Sequence, residues 1–191
     1  MRPTIVGIDP SSKKLAATVL SEHDSSYMET RKLPTDKVRR LVLVHEWVKA
    51  LVEPYSDPWV FIEAPIVWGS KASTLLLGQV SGALIAAAGV AGAERVEMVN
   101  SSTWKKQVVG NGAAKKPEIA RFVHQHWPKA WDMSNSDPDL MDSACIVQYG
   151  LQMWNRKLHV EELHQRDEQQ TTGHRRMATP VRRPLRRITR P

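Results

Sequence analysis

Residues 4–9 read Thr-Ile-Val-Gly-Ile-Asp, with Ile5, Val6 and Ile8 as the apolar run of an interior strand that Pro10 and two serines stop. The stretches KLAATVLS and SYMETRKL follow after short polar breaks and predict two more strands, joined as an antiparallel meander. From Pro34 the period lengthens: Val38, Leu41, Val44, Val48 and Leu51 recur at helical spacing, with Thr35 or Asp36 available as N-cap. The stretch from Pro54 to Pro58 ends that helix, and WVFIEA predicts a fourth strand. An apolar helix of about residues 73–90 comes after a Gly-Ser-Lys loop.

ERVEMV predicts a fifth strand. Ser101 and Ser102 can cap a short helix, TWKKQVV, which Gly110-Asn111-Gly112 terminates. Pro117 opens the next helix at a first-turn position, with Ile119, Phe122 and Val123 on its buried face. SDPDLMDSACIVQYGLQMW begins a long helix, with Asp137 as N-cap and Pro138 at the first position. The order is an α/β one: three antiparallel strands, helix, strand, helix, strand, helices.

A strand–helix–strand connection of this kind normally returns the fourth strand parallel to the first. If those two strands are neighbours, their C-terminal ends lie about 4.8 Å apart across the sheet. The first ends on Asp9 and the fourth on Glu63. Taken alone, Asp9 reads more readily as a turn cap. Asp139 and Asp142 share a face of the last helix, where they could simply complement its dipole, although Asp137 already serves as the cap. Gathered in one place, the four acids would repel strongly, since unit charges ~4 Å apart cost roughly 4 kcal/mol per pair at an effective dielectric of 20. Such a cluster needs neutralising cations, and oxygen-only ligands suit Mg²⁺ or Mn²⁺. Two such ions fit phosphodiester hydrolysis, activating a water and stabilising the leaving oxygen. No His/Cys spacing suggests zinc.

Charge adds a second feature. The chain has 27 Lys and Arg against 20 Asp and Glu, a net charge of +7. All the acids lie within residues 1–168, which balance to zero, and residues 169–191 carry seven arginines and no acid. This predicts a nuclease domain over 1–168 and a disordered Arg-rich tail over 169–191, suited to sequence-independent attraction to phosphate backbones. The arginines lack the amphipathic period of a membrane-surface helix. STLLLGQVSGALIAAAGVAGA is apolar enough to raise the question of a membrane span, but the polar and glycine positions within it favour a buried core helix. A single cysteine, Cys145, excludes an internal disulfide and fits a reducing cytoplasm; no signal peptide opens the chain. Trp47, Trp59, Trp104, Trp127, Trp131 and Trp154 are read as core or rim packing.

Five blocks, IVGIDPSSKKLA, FIEAP, LLLGQVSGALIAAA, WKKQVVGNGAAKK and DPDLMDSACI, resemble in order and spacing the RuvC-type Holliday junction resolvases, over about residues 3–154. The resemblance implies a ribonuclease H-like fold: a mixed five-stranded sheet, three strands antiparallel and two parallel, flanked by helices. It implies a homodimer that resolves four-way DNA junctions by paired symmetric nicks leaving 5′-phosphate ends, with two Mg²⁺ or Mn²⁺ ions per site. Metal ligation and catalysis carry over to Asp9, Glu63, Asp139 and Asp142. A DNA-contacting or scissile-phosphate role carries over to Lys105 and Lys116. Lys106 and Lys115 are adjacent basic residues read with them as DNA-binding, as are Arg175, Arg176, Arg182, Arg183, Arg186 and Arg187 of the tail.

Two departures from the family pattern stand out. Where bacterial members often carry an aromatic wedge this chain has Ile66, with Trp68 as a possible substitute, and it continues into the Arg tail. The compact form with such a tail resembles a bacteriophage version acting in a bacterial cytoplasm, for which a dedicated branch-migration partner is not assumed. Three other readings share part of this pattern. A same-fold nuclease of flaps, forks or RNA has the same carboxylates. A non-catalytic DNA-binding protein has no use for acids facing phosphate. An actin-like ATPase, suggested by GIDPSS, needs a second phosphate loop and a second domain.

Deleting residues 169–191 is expected to weaken binding to a four-way junction and flatten its salt dependence. The log–log slope would fall by up to about 6 if all seven arginines reach phosphates. Titrations at several salt concentrations measure this, and an unchanged slope would remove the tail from the interface.

Overall fold

A computed structural model describes residues 2–23, 26–65 and 71–177, with side chains through residue 165. Five strands form one sheet: β1 (Ile5–Pro10), β2 (Lys14–Leu20), β3 (Ser26–Lys32), β4 (Trp59–Glu63) and β5 (Arg95–Val99), in the order β3-β2-β1-β4-β5. β1, β2 and β3 are antiparallel neighbours, while β4 runs parallel to β1 and β5 parallel to β4. The expected mixed sheet is therefore present. Ile8 pairs with Ile62, so the next residues, Asp9 and Glu63, leave the sheet at the same end.

Helix α1 (Lys37–Val52) is capped by Asp36, whose side chain accepts from the Arg39 N–H. It packs with α2 (Lys71–Val90) against one face of the sheet, over Val6, Ile8, Val60 and Ile62. The opposite face carries Ile5, Trp59 and Phe61, covered by Trp104, Ile119, Val123, Cys145 and Ile146 from later elements. These are α3 (Ser101–Trp104), a π-helical turn over Lys105–Val109, α4 (Lys116–His126), α5 (Pro128–Ser134) and α6 (Pro138–Met177). The tryptophans fall as expected: Trp47, Trp59 and Trp104 are buried, and Trp127, Trp131 and Trp154 pack partly buried against the second core.

Four details differ from the sequence reading. α2 is only partly a core helix. It is long and apolar enough to cross a membrane, yet its buried residues are Val80, Ser81, Leu84, Ala87 and Ala88, while Leu75, Ile85 and Val90 are exposed. Ser101 and Ser102 lie inside α3, and the N-cap is Asn100, without a side-chain cap bond. The helix they begin widens into the π turn before Gly110 ends it at φ 89°. α5 was not anticipated; its seven residues are too short for a clear period.

At the C-terminus, α6 continues to Met177, past the expected tail boundary after Glu168. No proline interrupts the run until Pro180, and the residue before a proline disfavours helix, which accounts for the extension. The chain forms two compact units, Met1–Trp154 and Asn155–Pro191. The first unit holds the sheet and its two cores; the second contains the remainder of α6. Ile66, Trp68 and Arg182, Arg183, Arg186 and Arg187 lie outside the described residues, as do the side chains of Arg175 and Arg176.

α6 lies directly on β1. A Cβ on Gly7 would fall 2.5 Å from the Ser143 carbonyl oxygen and 2.8 Å from the Val147 nitrogen. Both obstacles are backbone, so no rotamer change relieves the clash. One and a half turns further on, a Cβ on Gly150 would meet the Phe61 ring at 2.6 Å. A buried hydrogen bond of 2.7 Å between the Thr18 and Ser143 hydroxyls ties the same stretch of α6 to β2. Gly7→Ala is therefore expected to destabilise the fold by about 3 kcal/mol or more, at the upper end for overpacked cores. Urea unfolding of variant and wild type measures this, and a loss below about 1 kcal/mol would mean that the helix is free to move off the strand.

Candidate active site

Asp9, Asp139 and Asp142 each offer a carboxylate oxygen, and the three atoms lie within 4.8 Å of one another. Strand geometry brings Asp9 to this point, and the helix contact over Gly7 brings the other two. Asp137 caps α6 as expected: its Oδ1 accepts the Asp139 N–H at 3.0 Å. The first turn of α6 then presents Asp139, and Asp142 lies one turn deeper beside the sheet. Glu63 is not among this trio, yet its charge acts on both Asp9 and Asp142. Its Oε2 accepts the indole N–H of buried Trp104 at 2.8 Å.

The acids differ in electrostatic state. Burial, then the charges of Glu63, Asp142 and Asp139, push Asp9 well above the ordinary carboxylate range. Burial and then Glu63 push Asp142 up to about 7. Glu63 is raised by burial, against the opposing effects of the Trp104 hydrogen bond and of Lys105 and Lys116. Asp139 is lowered, because hydrogen bonds from Lys116 and Lys14 outweigh its burial.

Two lysines hold Asp139. Lys116, at the start of α4, donates to Oδ1 at 2.7 Å, and Lys14, at the start of β2, sits 2.8 Å from Oδ2. Lys14 also donates to both oxygens of Asp137, at 3.0 and 2.8 Å, so one ammonium bridges the cap and the site. Lys116 is positioned by the loop before it: Glu118 accepts the Lys115 N–H at 2.9 Å and the Asn111 side-chain N–H at 3.2 Å. Burial opposes both lysine charges, but the carboxylates raise both ammonium pKa values overall.

Of the other lysines, Lys105 approaches the Trp104 ring at 5.3 Å and lowers Glu63 and Asp142 through its charge. Lys106 and Lys115 are exposed. The sequence reading omitted Lys14 and Trp104 from the site. Lys14 had a visible signal: it shares a strand face with Ala16, the cross-strand partner of Asp9. Cys145 is buried one turn beyond Asp142, where burial and then the Asp142 charge raise its thiol far above the ordinary range, so it is packing and not a nucleophile.

The donor set fits a divalent cation. Asp142 Oδ1 is buried and has no hydrogen-bond partner, and two of the three clustered acids are raised by burial and by neighbouring carboxylates beyond what Lys105 and Lys116 offset. Oxygen donors at this spacing suit a hard cation.

Comparison with known proteins places the chain. The family model for crossover junction endodeoxyribonuclease RuvC matches residues 5–130. The protein of that name from Trichlorobacter lovleyi is 32% identical over 125 residues, 62% of this chain and 70% of the relative. The one from Hyphomonas neptunium is 28% identical over 149 residues, 75% of this chain and 87% of the relative. Among solved structures, Thermus thermophilus RuvC in complex with Holliday junction substrate superposes with a TM-score of 0.58 at 20% identity, covering 78% of this chain and 97% of that one. The yeast mitochondrial Holliday junction resolvase Ydc2 gives 0.52 at 14% identity, covering 77% and 78%.

Without divalent cation the raised acids make the fold pH-sensitive. Unfolded, Asp142 ionises near the ordinary value of 3.8; folded, it ionises near 7. Its neutral form is thus fully compatible with the fold below about pH 4, and that stability is lost as pH rises through 7. In chelator, Asp142→Asn is expected to raise Tm at pH 8, by a difference worth a few kcal/mol, and to change it little at pH 4. Divalent cation should raise the wild-type Tm at pH 8 more than the variant's. Scanning calorimetry at the two pH values measures both effects, and a variant no more stable at pH 8 would mean that Asp142 is not strained by its charge.

Proposed function

Because the chain belongs to the RuvC family of crossover junction endodeoxyribonucleases, we propose that it is an endonuclease that resolves four-way DNA junctions by paired symmetric nicks. The observation carrying this reading is the convergence of Asp9, Asp139 and Asp142 within 4.8 Å, with one buried carboxylate oxygen unpartnered. A protein that only binds DNA would gain nothing from such a cluster, because acids repel phosphate.

Asp9, Asp139, Asp142 and Glu63 are assigned to hold Mg²⁺ or Mn²⁺, two ions per site. Bound there, these ions supply Lewis-acid polarisation of the phosphodiester and a water of lowered pKa. The chain's own groups do the rest. Trp104 fixes one oxygen of Glu63, Oε2, by its indole N–H. Lys14 and Lys116 hold Asp139 in its ionised form. Lys116 also offers an ammonium close enough to act on Asp9, Glu63 and Asp142, where it can stabilise charge developing on the scissile phosphate. In-line attack by water breaks the bond to the 3′-oxygen and leaves 5′-phosphate and 3′-hydroxyl ends.

Lys105, Lys106 and Lys115, with the tail arginines, are assigned to backbone phosphates. Two symmetric nicks require two sites related by a two-fold axis, hence a homodimer. Support comes from α2, where Leu75, Ile85 and Val90 stand exposed beside Gly78, Gly82 and Gly89, positions with open space above them. Such a face of small and apolar residues lets a second helix approach closely. The cytoplasm, where junctions in DNA arise, is the assigned location.

The test is cleavage of a synthetic immobile four-way junction beside linear duplex, flap and fork. It is run with Mg²⁺, with Mn²⁺ and with chelator, for wild type and Asp142→Asn. Metal-dependent paired nicks, reduced at least 1,000-fold in the variant, are expected. Equal cutting of flaps and forks would keep the nuclease and discard junction selectivity, and binding without cutting would discard catalysis.

A further inference from the structure

Arg40 is among the most deeply placed charges in the first unit, at 7% exposure on α1. Its Nε donates to the Pro34 carbonyl at 2.8 Å. No carboxylate pairs with it among the described residues, and no other hydrogen bond of its guanidinium falls among them. The guanidinium offers five N–H donors, and with Nε tied to the backbone its remaining donors are left for an anion at the cavity that Arg40 lines.

Two cavities meet at this side chain, with volumes of about 360 and 500 Å³. Arg40, Thr35 and Leu76 line both. The larger adds Lys13, Lys14 and Lys32, the smaller adds Lys37, and neither is lined by any acid. β-sheet register places Lys14 directly across from Lys32, and the Leu33 N–H bonds to the Lys13 carbonyl, so these lysines are held by backbone pairing. The track is anchored at the cleavage chemistry as well, because Lys14 Nζ is the ammonium that touches Asp137 and Asp139.

We infer that Arg40 and the lysines around it form a phosphate-binding groove that leads from the carboxylate cluster along the α1 side of the molecule and seats the DNA backbone away from the scissile bond. The groove is lined by other residues than Lys105, Lys106, Lys115 and Lys116, which come from the π turn and α4, and it meets that set at Asp139, which Lys14 and Lys116 share. It therefore gives one protomer two contacts with the same DNA: one at the cleaved phosphate, and one further along a junction arm. Arg40 supplies a fixed, partly desolvated fork for a single phosphate, and Lys13, Lys32 and Lys37 supply the surrounding field. The inference rests on the reading of the chain as a DNA nuclease and specifies where that DNA runs.

The experiment measures equilibrium binding of full-length protein, carrying Asp142→Asn to prevent cleavage, to four-way junction and linear duplex in which single phosphates near the cleavage point are replaced one at a time by neutral methylphosphonate. In the Asp142→Asn parent, one position beyond the scissile phosphate should weaken binding about 10- to 100-fold, as expected for a lost charge-assisted contact. Adding Arg40→Gln should cause a similar loss and abolish sensitivity at that position alone. Lys13→Gln/Lys32→Gln, both exposed and spared any folding question, should lower the salt slope of binding by about 2. The inference is overturned if the lysine pair leaves affinity and slope unchanged, or if Arg40→Gln, folded by circular dichroism, keeps the parent's phosphate sensitivities. It is overturned equally if Arg40→Gln alters only the oligomeric state, which would give the groove to a second copy of the chain. Failure of the parent to prefer junction over duplex would instead count against the junction reading, while the Arg40 comparison on duplex still decides the groove.

Discussion

The site depends on a close backbone approach at Gly7. α6 can rest on β1 only because residue 7 has no side chain, and Asp9 follows two residues later on the same strand face. The turn of α6 that leads into that contact carries Asp139 and Asp142, and Ser143, part of the contact, is bonded to Thr18 on β2. The hydrophobic cores bury the sheet on both faces, but neither would bring the acids of opposite chain ends together without this steric vacancy. Packing and chemistry are here the same contact.

Bringing the acids together has a cost that the fold meets unevenly. Asp139 is satisfied by two ammonium groups, whereas Asp9 and Asp142 are buried against like charges and stay strained. The asymmetry is useful. A carboxylate already paired is held in place and keeps its charge, and unpaired ones retain free oxygen atoms for a cation. Lys14 couples the two regimes, since it joins the helix cap Asp137 to Asp139 and lies at the mouth of the groove lined by Arg40. Trp104 does comparable work for Glu63 from the other side of the sheet end.

Much of this was legible in the residues. The strand and helix periods gave the sheet, the handedness of a crossover connection placed Asp9 beside Glu63, and Asp137-Pro138 marked the start of α6. What stayed hidden was non-local or short. The partner of Lys14 is 123 positions away, and the Trp104 bond to Glu63 spans 41. Neither pairing leaves a local pattern, although the two-residue period from Ala16 to Lys14 put that lysine on the correct face. α2 misled because a uniformly apolar helix looks the same in sequence whether its outer side is covered by its own chain or left open. The glycine of β1 is itself a signal of close approach, hidden in sequence because it is also part of the GIDP motif.

The contact between β1 and α6 also sets a timetable. Asp9 precedes Asp142 by most of the first unit, and the helix that seats against Gly7 is built from residues that follow all five strands. A nascent chain can assemble β1 to β5 with α1 and α2 and still possess no three-carboxylate cluster. The cluster of Asp9, Asp139 and Asp142 is therefore complete only once α6 has been made and docks on β1, whereas Asp9 and Glu63 come together as soon as β1 and β4 pair.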